Sequence, residues 1–273
     1  MMGPSAQPLR PGGARVFVLL PTIPARRAAC EALLAALLRQ SRPPDRVILC
    51  LDGYGDAPAP ERPAPLRQSV IEVRRQGTCG GPGHRWRTAL GLLGPSLISD
   101  GTTPAYLAPV LQDDDLLVSL DDDADLSEAP NFLNWLIVGA LAHGAAAATG
   151  LTPKGHRAPP GEAHCGPLVL GCGCGLALRA RHLVGLPELA AEVLRAGGPD
   201  ALGALGDDQA LVSAHLWRQR VALHHAATGP LRFAPGTDAS AQWAARCRNL
   251  GRERCPFAGQ AATERRRVFQ ACH

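Results

Sequence analysis

The chain has 273 residues, 46% of them hydrophobic and only 4% aromatic, and its formal net charge is +4. This length and composition suit one large domain with an apolar core, and the charge is too small to argue for a nucleic-acid partner. We find no run of about 18 apolar residues and no secretion signal at the start, so we predict neither a membrane span nor export.

Nine cysteines, an odd number without a recognisable secretion signal, favour reduced thiols in a cytoplasmic compartment. The segment HCGPLVLGCGCG (164–175) could supply zinc ligands from one histidine and three cysteines. Its Cys-x-Cys spacing is not typical of a structural zinc site, which usually separates the cysteines by two residues. We therefore interpret the segment as a tight, glycine-rich turn.

Strand and helix patterns alternate along the chain. Continuous apolar runs predict strands buried on both faces, and apolar residues at helical spacing predict helices. Segment 164–183 has the pattern of a strand, a glycine-rich turn and a second strand or helix start, and a loop is predicted between 94 and 116. The remaining predicted strands lie at 14–21, 45–53, 69–75, 116–120, 145–150 and 221–227, and the predicted helices at 25–40, 83–94, 129–141 and 206–220.

This alternation predicts an α/β fold, with a mostly parallel, Rossmann-like sheet and helices on both faces. We place it in a single domain at 15–236, after a disordered N-terminus at 1–14 and before an arginine-rich C-terminal tail at 237–273. The basic tail is a candidate for peripheral contact with an anionic membrane surface or an acidic acceptor.

Two runs of three aspartates flank the predicted strand at 116–120. Parallel sheets bind ligands at the carboxyl ends of their strands. Asp113–Asp115 precedes the strand, so we interpret it as a solvated loop, whereas Asp121–Asp123 follows it on the ligand side. Carboxylates bind hard cations such as Mg²⁺ and Mn²⁺, so the second run is the candidate site.

Several motifs in order resemble nucleotide-sugar glycosyltransferases of the GT-A fold, in the broad family-2-like set. The resemblance covers roughly residues 15–226, and the chain lacks the Gln-x-x-Arg-Trp segment of processive synthases, which favours transfer of single sugars. The motifs are VFVLLPTIPARR (16–27), LDG (51–53), GPGHRWRTAL (81–90), VSLDDDADL (118–126), GCGCGLALR (171–179) and GDDQALVSAHL (206–216).

The resemblance implies a nucleoside-diphosphate sugar as donor, with a UDP-sugar favoured, and Mn²⁺ or Mg²⁺ as cofactor. The cation would neutralise the diphosphate leaving group as a Lewis acid. Asp123 corresponds to the direct metal ligand, and Asp121 shares the metal or its waters. Asp122 and Asp121 would also contact the donor ribose.

Further donor-binding residues follow from the same resemblance. Pro21 and Thr22 would lie against the nucleoside, and Asp52 would accept a hydrogen bond from its base. A guanidinium fork suits phosphate, so Arg26 or Arg85 would pair with the diphosphate. The acceptor would be a glycan, a lipid or a small molecule.

An inverting transfer also needs a general base for the acceptor hydroxyl. In the family this is an aspartate of an acidic pair that opens a later helix, and Asp208 of the pair Asp207-Asp208 corresponds to it. Ordinary capping of that helix is the alternative interpretation.

Two other functional classes remain open. A sugar-phosphate nucleotidyltransferase shares the general architecture, but the glycine-rich loop expected after the first strand is not found in LLPTIPARR (19–27). A non-catalytic GT-A-like binding protein would keep the fold without turnover.

Overall fold

A computed structural model describes residues 13–74, 84–93, 96–99, 104–107, 110–142, 146–148, 163–164, 175–197, 208–226 and 232–233. The predicted tail at 237–273 and the predicted N-terminal segment, apart from its last two residues, lie outside this set. So does most of the glycine-rich segment.

The described strands form one large sheet and two small ones. The large sheet has the order β3-β2-β1-β6-β10-β8-β11-β9. Only β10 and β9 run against the direction that the other six strands share, so the predicted mostly parallel sheet is confirmed. The strands are β1 Val16–Thr22, β2 Arg46–Leu51, β3 Val70–Arg74, β4 Ser96–Ser99, β5 Pro104–Leu107, β6 Leu116–Ser119, β7 Ala124–Asp125, β8 Ala146–Ala148, β9 Ala163–His164, β10 Leu176–Arg179, β11 Leu223–His225 and β12 Arg232–Phe233.

Helices cover both faces of the large sheet, as predicted. Successive side chains of a strand point to opposite faces, and β1 shows this directly. Its Phe17 and Leu19 pack with α2, α4 and α5, whereas Val18 and Leu20 pack with α1 and α3. The helices are α1 Arg27–Leu38, α2 His84–Leu93, α3 Phe132–Ala142, α4 Leu186–Gly197 and α5 Asp208–Arg218.

Three features of the described fold were not predicted, namely a hairpin, a helix and a two-stranded ribbon. The predicted loop between 94 and 116 contains the antiparallel hairpin β4–β5, whose strands of four residues are too short for a clear apolar pattern. Helix α4 was also missed, although its buried Leu186 and Leu189 stand three apart. Strands β7 and β12 pair over two residues each, which brings the chain after β11 back beside the segment that follows Asp121–Asp123.

Two local contacts hold α3 against its neighbours. Gln40 lies just after α1. Its side-chain Nε2 donates to the carbonyl of Ala129 at 2.9 Å, and its Oε1 accepts from the backbone amide of Leu133 at 3.1 Å. Gly175, immediately before β10, leaves no room for a side chain, because a Cβ there would lie 2.8 Å from Leu136 and 2.9 Å from Phe132. These contacts fix the helix that follows the candidate site.

Among the described residues, no helix has the length and apolar character needed to cross a membrane. The described cysteines, Cys30 and Cys50, are free and buried. Burial raises the pKa of the Cys30 thiol to about 12 and that of Cys50 to about 11, so both stay protonated and unreactive at neutral pH.

Candidate active site

The carboxyl ends of three neighbouring strands bring most of the predicted site residues to one edge of the sheet. Strand β1 lies between β2 and β6, with Thr22 opposite Leu51 and Leu19 opposite Ser119. Asp52 directly follows β2, and its backbone amide donates to the carbonyl of Thr22 at 3.0 Å. The triplet Asp121–Asp123 follows β6 after a single residue. The edge therefore carries four aspartates within a few residues of strand ends.

Arg26 bridges two members of the triplet. It ends a short 3₁₀ turn, Pro24–Arg26, that follows β1. Its Nη1 lies 2.8 Å from Oδ1 of Asp122 and 3.3 Å from Oδ2 of Asp123. Burial alone would lower the pKa of Arg26, but attraction to Asp122 and Asp123 outweighs it and the pKa is raised. The guanidinium therefore stays positively charged beside two buried carboxylates.

Arg85, on helix α2, holds the remaining member of the triplet. It is buried in the first turn of α2, and its Nη2 donates to Oδ1 of Asp121 at 2.6 Å. Its Nη1 donates to the hydroxyl of Ser119 at 2.8 Å and approaches the carbonyl of Leu120 at 3.4 Å. These contacts join Arg85 to the end of β6, so its predicted pairing with a diphosphate would require the side chain to serve a second partner.

Asp122 is a buried carboxylate whose pKa lies well above its usual range. It is 2% exposed, and burial raises its pKa to about 6 although the charge of Arg26 opposes the shift. Its Oδ2 is buried and has no hydrogen-bond partner among the described residues. A buried carboxylate oxygen without a donor costs free energy, and such under-satisfied groups concentrate at functional sites.

Tyr54 is a site residue that sequence reasoning missed. Its hydroxyl donates to the carbonyl of Ile23 at 3.2 Å and lies 3.4 Å from the hydroxyl of Thr22. Gly53, with a φ of 73°, provides the turn between Asp52 and Tyr54. Burial raises the pKa of Tyr54 to about 12, so it stays a donor. A tyrosine three residues after the end of the buried strand β2 was the available signal.

The predicted cation site fits the chemistry of these residues only in part. Within the described ranges, no group of three or more His, Cys, Asp and Glu side chains is arranged to hold a metal ion. Mg²⁺ and its analogues, however, are often held by one or two carboxylates, with waters and substrate phosphates completing the shell. Asp121 and Asp123, beside the under-satisfied Asp122, suit such a partial set of ligands.

The other acidic run differs from its prediction. Asp113 and Asp114 are exposed, as a solvated loop requires, but Asp115 is 3% exposed. Its two oxygens accept from Arg15 at 2.8 and 2.5 Å, and Oδ2 also accepts from the Gln112 amide at 2.7 Å. The interpretation as a solvated loop is thus wrong for Asp115. It joins the start of β1 to the start of β6, a contact between residues too distant in sequence to be predicted.

The last predicted residues are placed by the backbone. Pro21 is partly exposed near the end of β1. Asp208 is the first residue of α5, and Asp207 lies outside the described residues. Trp86 is 5% exposed in the apolar cluster on the α2 side of the sheet, so it belongs to the core.

No protein-family model matches the chain, and no curated protein does. Among solved structures, a 1–349 fragment of S. aureus TarS in complex with UDP matches 77% of this chain and 57% of its own length, with a TM-score of 0.41 and 13% identity. A mannosyltransferase, PcManGT from Pyrobaculum calidifontis in complex with GDP-Man and Mn²⁺, matches 96% of this chain and 70% of its own, with a TM-score of 0.43 and 16% identity.

The chain spans little more than half of the TarS fragment and 36% of another TarS structure. With TM-scores below 0.5 and such low identities, these likenesses do not by themselves identify a reaction, which has to be argued from the residues of the site.

Proposed function

We propose that this protein is a metal-dependent glycosyltransferase, which moves a single sugar from a nucleoside-diphosphate sugar to an acceptor hydroxyl. The observation that carries the proposal is the acidic triplet at the carboxyl edge of the sheet, where Asp122 is buried without full hydrogen bonding. Two guanidiniums contact the same triplet. Carboxylates bind a divalent cation and arginines bind phosphate. Three carboxylates and two arginines together therefore suit an anionic ligand that binds with a cation.

The residues divide naturally between the parts of such a donor. Asp121 and Asp123 would hold Mn²⁺ or Mg²⁺, which, when bound, would stabilise the negative charge of the leaving diphosphate as a Lewis acid. Pro21, Thr22 and Asp52 would bind the nucleoside at the ends of β1 and β2. Tyr54 supports this arrangement, because its hydroxyl bonds to the backbone between β1 and Arg26.

Arginine chemistry completes donor binding. Arg26 would pair with the diphosphate. Arg85 would orient Asp121 and would remain close enough to add positive charge to the donor site. Asp122 would accept from the donor ribose with the oxygen that has no partner among the described residues. A ribose hydroxyl would thereby relieve the cost of leaving that oxygen unbonded.

Asp208 is the proposed general base. It would take the proton of the acceptor hydroxyl while the hydroxyl oxygen attacks the anomeric carbon. The bond between that carbon and the diphosphate oxygen breaks, and the diphosphate leaves with the electron pair. Because the hydroxyl attacks opposite to the leaving diphosphate, the configuration at the anomeric carbon is inverted. Helix α5 leads into β11 through four residues, 219–222, and β11 runs in the same direction as β6, so the amino end of α5 is expected on the side of the triplet.

A donor screen tests the proposed function. Thermal stabilisation and sugar-nucleotide hydrolysis would be measured with UDP-, GDP- and TDP-sugars, with and without Mn²⁺, on the wild type and on Asp123→Ala. We expect one donor family to give a response that depends on Mn²⁺ and is lost in Asp123→Ala. Asp114→Ala, in the exposed part of the other acidic run, is the matched control and should respond as the wild type does. The absence of any Mn²⁺-dependent response in the wild type would remove the proposal.

The assignment of the base is tested separately, once a donor and an acceptor are known. Asp208→Asn should lower the rate of transfer by about 100-fold or more and leave donor binding nearly unchanged. A variant that transfers at full rate would assign Asp208 to capping of α5 instead. A loss confined to donor affinity would also contradict its role as the base.

A further inference from the structure

Arg26 lies in the region where the cation is expected. One nitrogen of its guanidinium is 2.8 Å from Asp122 and 3.3 Å from Asp123. Both carboxylates are almost wholly buried, so charge there is poorly screened by water. A divalent cation bound by Asp123 and the guanidinium in its present position would repel each other strongly. One of the two must give way when the other is bound.

The two arginines of the site differ in how firmly the fold holds them. Arg85 belongs to α2. Two other residues of this helix, Trp86 and Ala89, are buried in the apolar cluster against the sheet. Arg26 ends the three-residue turn Pro24–Arg26, which contributes no fully buried residue to the core, although the side chain of Arg26 is itself only 11% exposed. Redirecting this side chain breaks its contacts with the aspartates but displaces no core residue of the turn. Arg26 is therefore the arginine suited to change partners.

The present pairing also leaves the triplet incomplete. Oδ2 of Asp122 is buried and has no hydrogen-bond partner among the described residues. A structural ion pair that is retained for stability usually satisfies all of its buried oxygens, because an unpaired one is costly. The contact with Arg26 thus has the character of a temporary partner rather than a permanent one.

We infer that Arg26 takes the place of the cation in the donor-free protein, and that it moves onto the donor diphosphate when cation and donor bind together. This inference rests on the proposed function and adds an order of events to it. The guanidinium keeps the aspartates neutralised until the donor arrives. It then exchanges two carboxylate contacts for contacts with phosphate oxygens, which accept from a guanidinium equally well.

The exchange couples the two ligands. A cation alone has to displace Arg26 from its carboxylates and leaves the guanidinium without its partners there, so it binds weakly. A nucleoside diphosphate supplies the new partner for Arg26, so each ligand raises the affinity for the other by the same factor. Removal of the guanidinium should therefore strengthen binding of the cation alone and reduce this coupling.

The test is a titration with Mn²⁺ alone, in which the free ion is followed by electron paramagnetic resonance, at mildly alkaline pH where the carboxylates are ionised. We expect Arg26→Gln to bind Mn²⁺ about tenfold more tightly than the wild type, the scale of one charged hydrogen-bonded contact. Arg27→Gln is the matched control, since Arg27 is the next residue and pairs with Glu31 at 2.8 Å rather than with the triplet. It should bind Mn²⁺ as the wild type does. Equal or weaker Mn²⁺ binding by Arg26→Gln, including no binding by either protein, would overturn the inference.

A second variant guards against misfolding. Arg26→Lys keeps a positive charge but carries it on a compact ammonium in place of the guanidinium whose Nη1 contacts both carboxylates, so we expect a smaller gain in Mn²⁺ affinity, of about threefold. If Arg26→Gln is unfolded by circular dichroism, the lysine variant decides, and no gain in it would overturn the inference. Failure of the proposed function is recognised by a different result, namely that the wild type shows no Mn²⁺-dependent response to any nucleotide sugar.

Discussion

The two acidic runs at either end of β6 have the same composition, and each holds an aspartate that is paired with an arginine. At the amino end, both oxygens of Asp115 are engaged by the fork of Arg15, and a backbone amide adds a third bond. At the carboxyl end, Asp122 receives a single nitrogen of Arg26, and its other oxygen is buried without a hydrogen-bond partner among the described residues. The first pairing is complete and the second is not.

This difference illustrates that two identical Asp-Asp-Asp runs have different surroundings because they lie at opposite ends of the same strand. At the amino end of β6 the chain closes on itself, since the backbone oxygens of Asp113 and Asp115 also accept from the turn after β10. At the carboxyl end, the loops after β1, β2 and β6 also bond to one another, but they leave Oδ2 of Asp122 without a hydrogen-bond partner among the described residues. We expect acidic residues at the first end to stabilise the fold, and those at the second to bind a ligand.

The largest effect on stability is expected at Asp115. Asp115→Ala leaves the backbone amide of Gln112 without its acceptor and the guanidinium of Arg15 with only the carbonyl of Val110 as an acceptor among the described residues, in a place that water reaches only in part. We expect the free energy of unfolding to fall by about 3 kcal/mol, which denaturation in urea would measure. Asp114→Ala, at a side chain that is 71% exposed, is the control and should change it by less than about 0.5 kcal/mol. A loss below about 1 kcal/mol at Asp115 would contradict the contrast.

Asp122 should respond in the opposite direction. Its pKa is raised from an ordinary value of 3.8 to about 6, so between these pH values the folded protein retains a proton that the unfolded chain releases. The stability contributed by this proton is complete below pH 3.8 and is lost as the pH rises through about 6. Asp122→Asn removes the ionisation and should be more stable than the wild type by about 1–2 kcal/mol above that window, and by little below it.

Urea denaturation of both proteins on either side of the window measures this difference. The shift already includes the opposing attraction of Arg26, and the expected gain is set below its full value because the asparagine side chain brings two N–H donors that need acceptors in a buried place. If Asp122→Asn were instead destabilised at neutral pH as strongly as Asp115→Ala, the pairing with Arg26 would be structural, and the contrast between the two runs would disappear.

Much of the fold could be predicted from the sequence, and the reasons are local. The apolar runs of β1, β2 and β6 are long enough to show strands buried on both faces, and the alternation with helices then implies a mostly parallel sheet. Strand direction located Asp52 and Asp121–Asp123 on one edge. Hairpin β4–β5 and the ribbon β7–β12 could not be found in this way, because strands of two to four residues carry no clear period.

The pairing of the charges was beyond sequence reasoning. Arg26 and Asp122 are 96 residues apart, and Arg15 and Asp115 are 100 apart. Nothing in either local pattern shows which arginine meets which carboxylate, or that Asp115 is buried while Asp114 is exposed. Tyr54 was missed for a related reason, since its partners lie on the neighbouring strand's turn.

One crossed measurement tests the central claim most directly. Stability and Mn²⁺-dependent binding of the preferred donor would both be measured for Asp115→Ala and Asp123→Ala, at a temperature where each is folded. The account predicts that Asp123→Ala loses donor affinity by at least about 100-fold with little loss of stability, whereas Asp115→Ala loses stability and binds the donor as the wild type does. Loss of donor binding in folded Asp115→Ala comparable to that in Asp123→Ala would contradict the assignment of the site to the carboxyl end of β6.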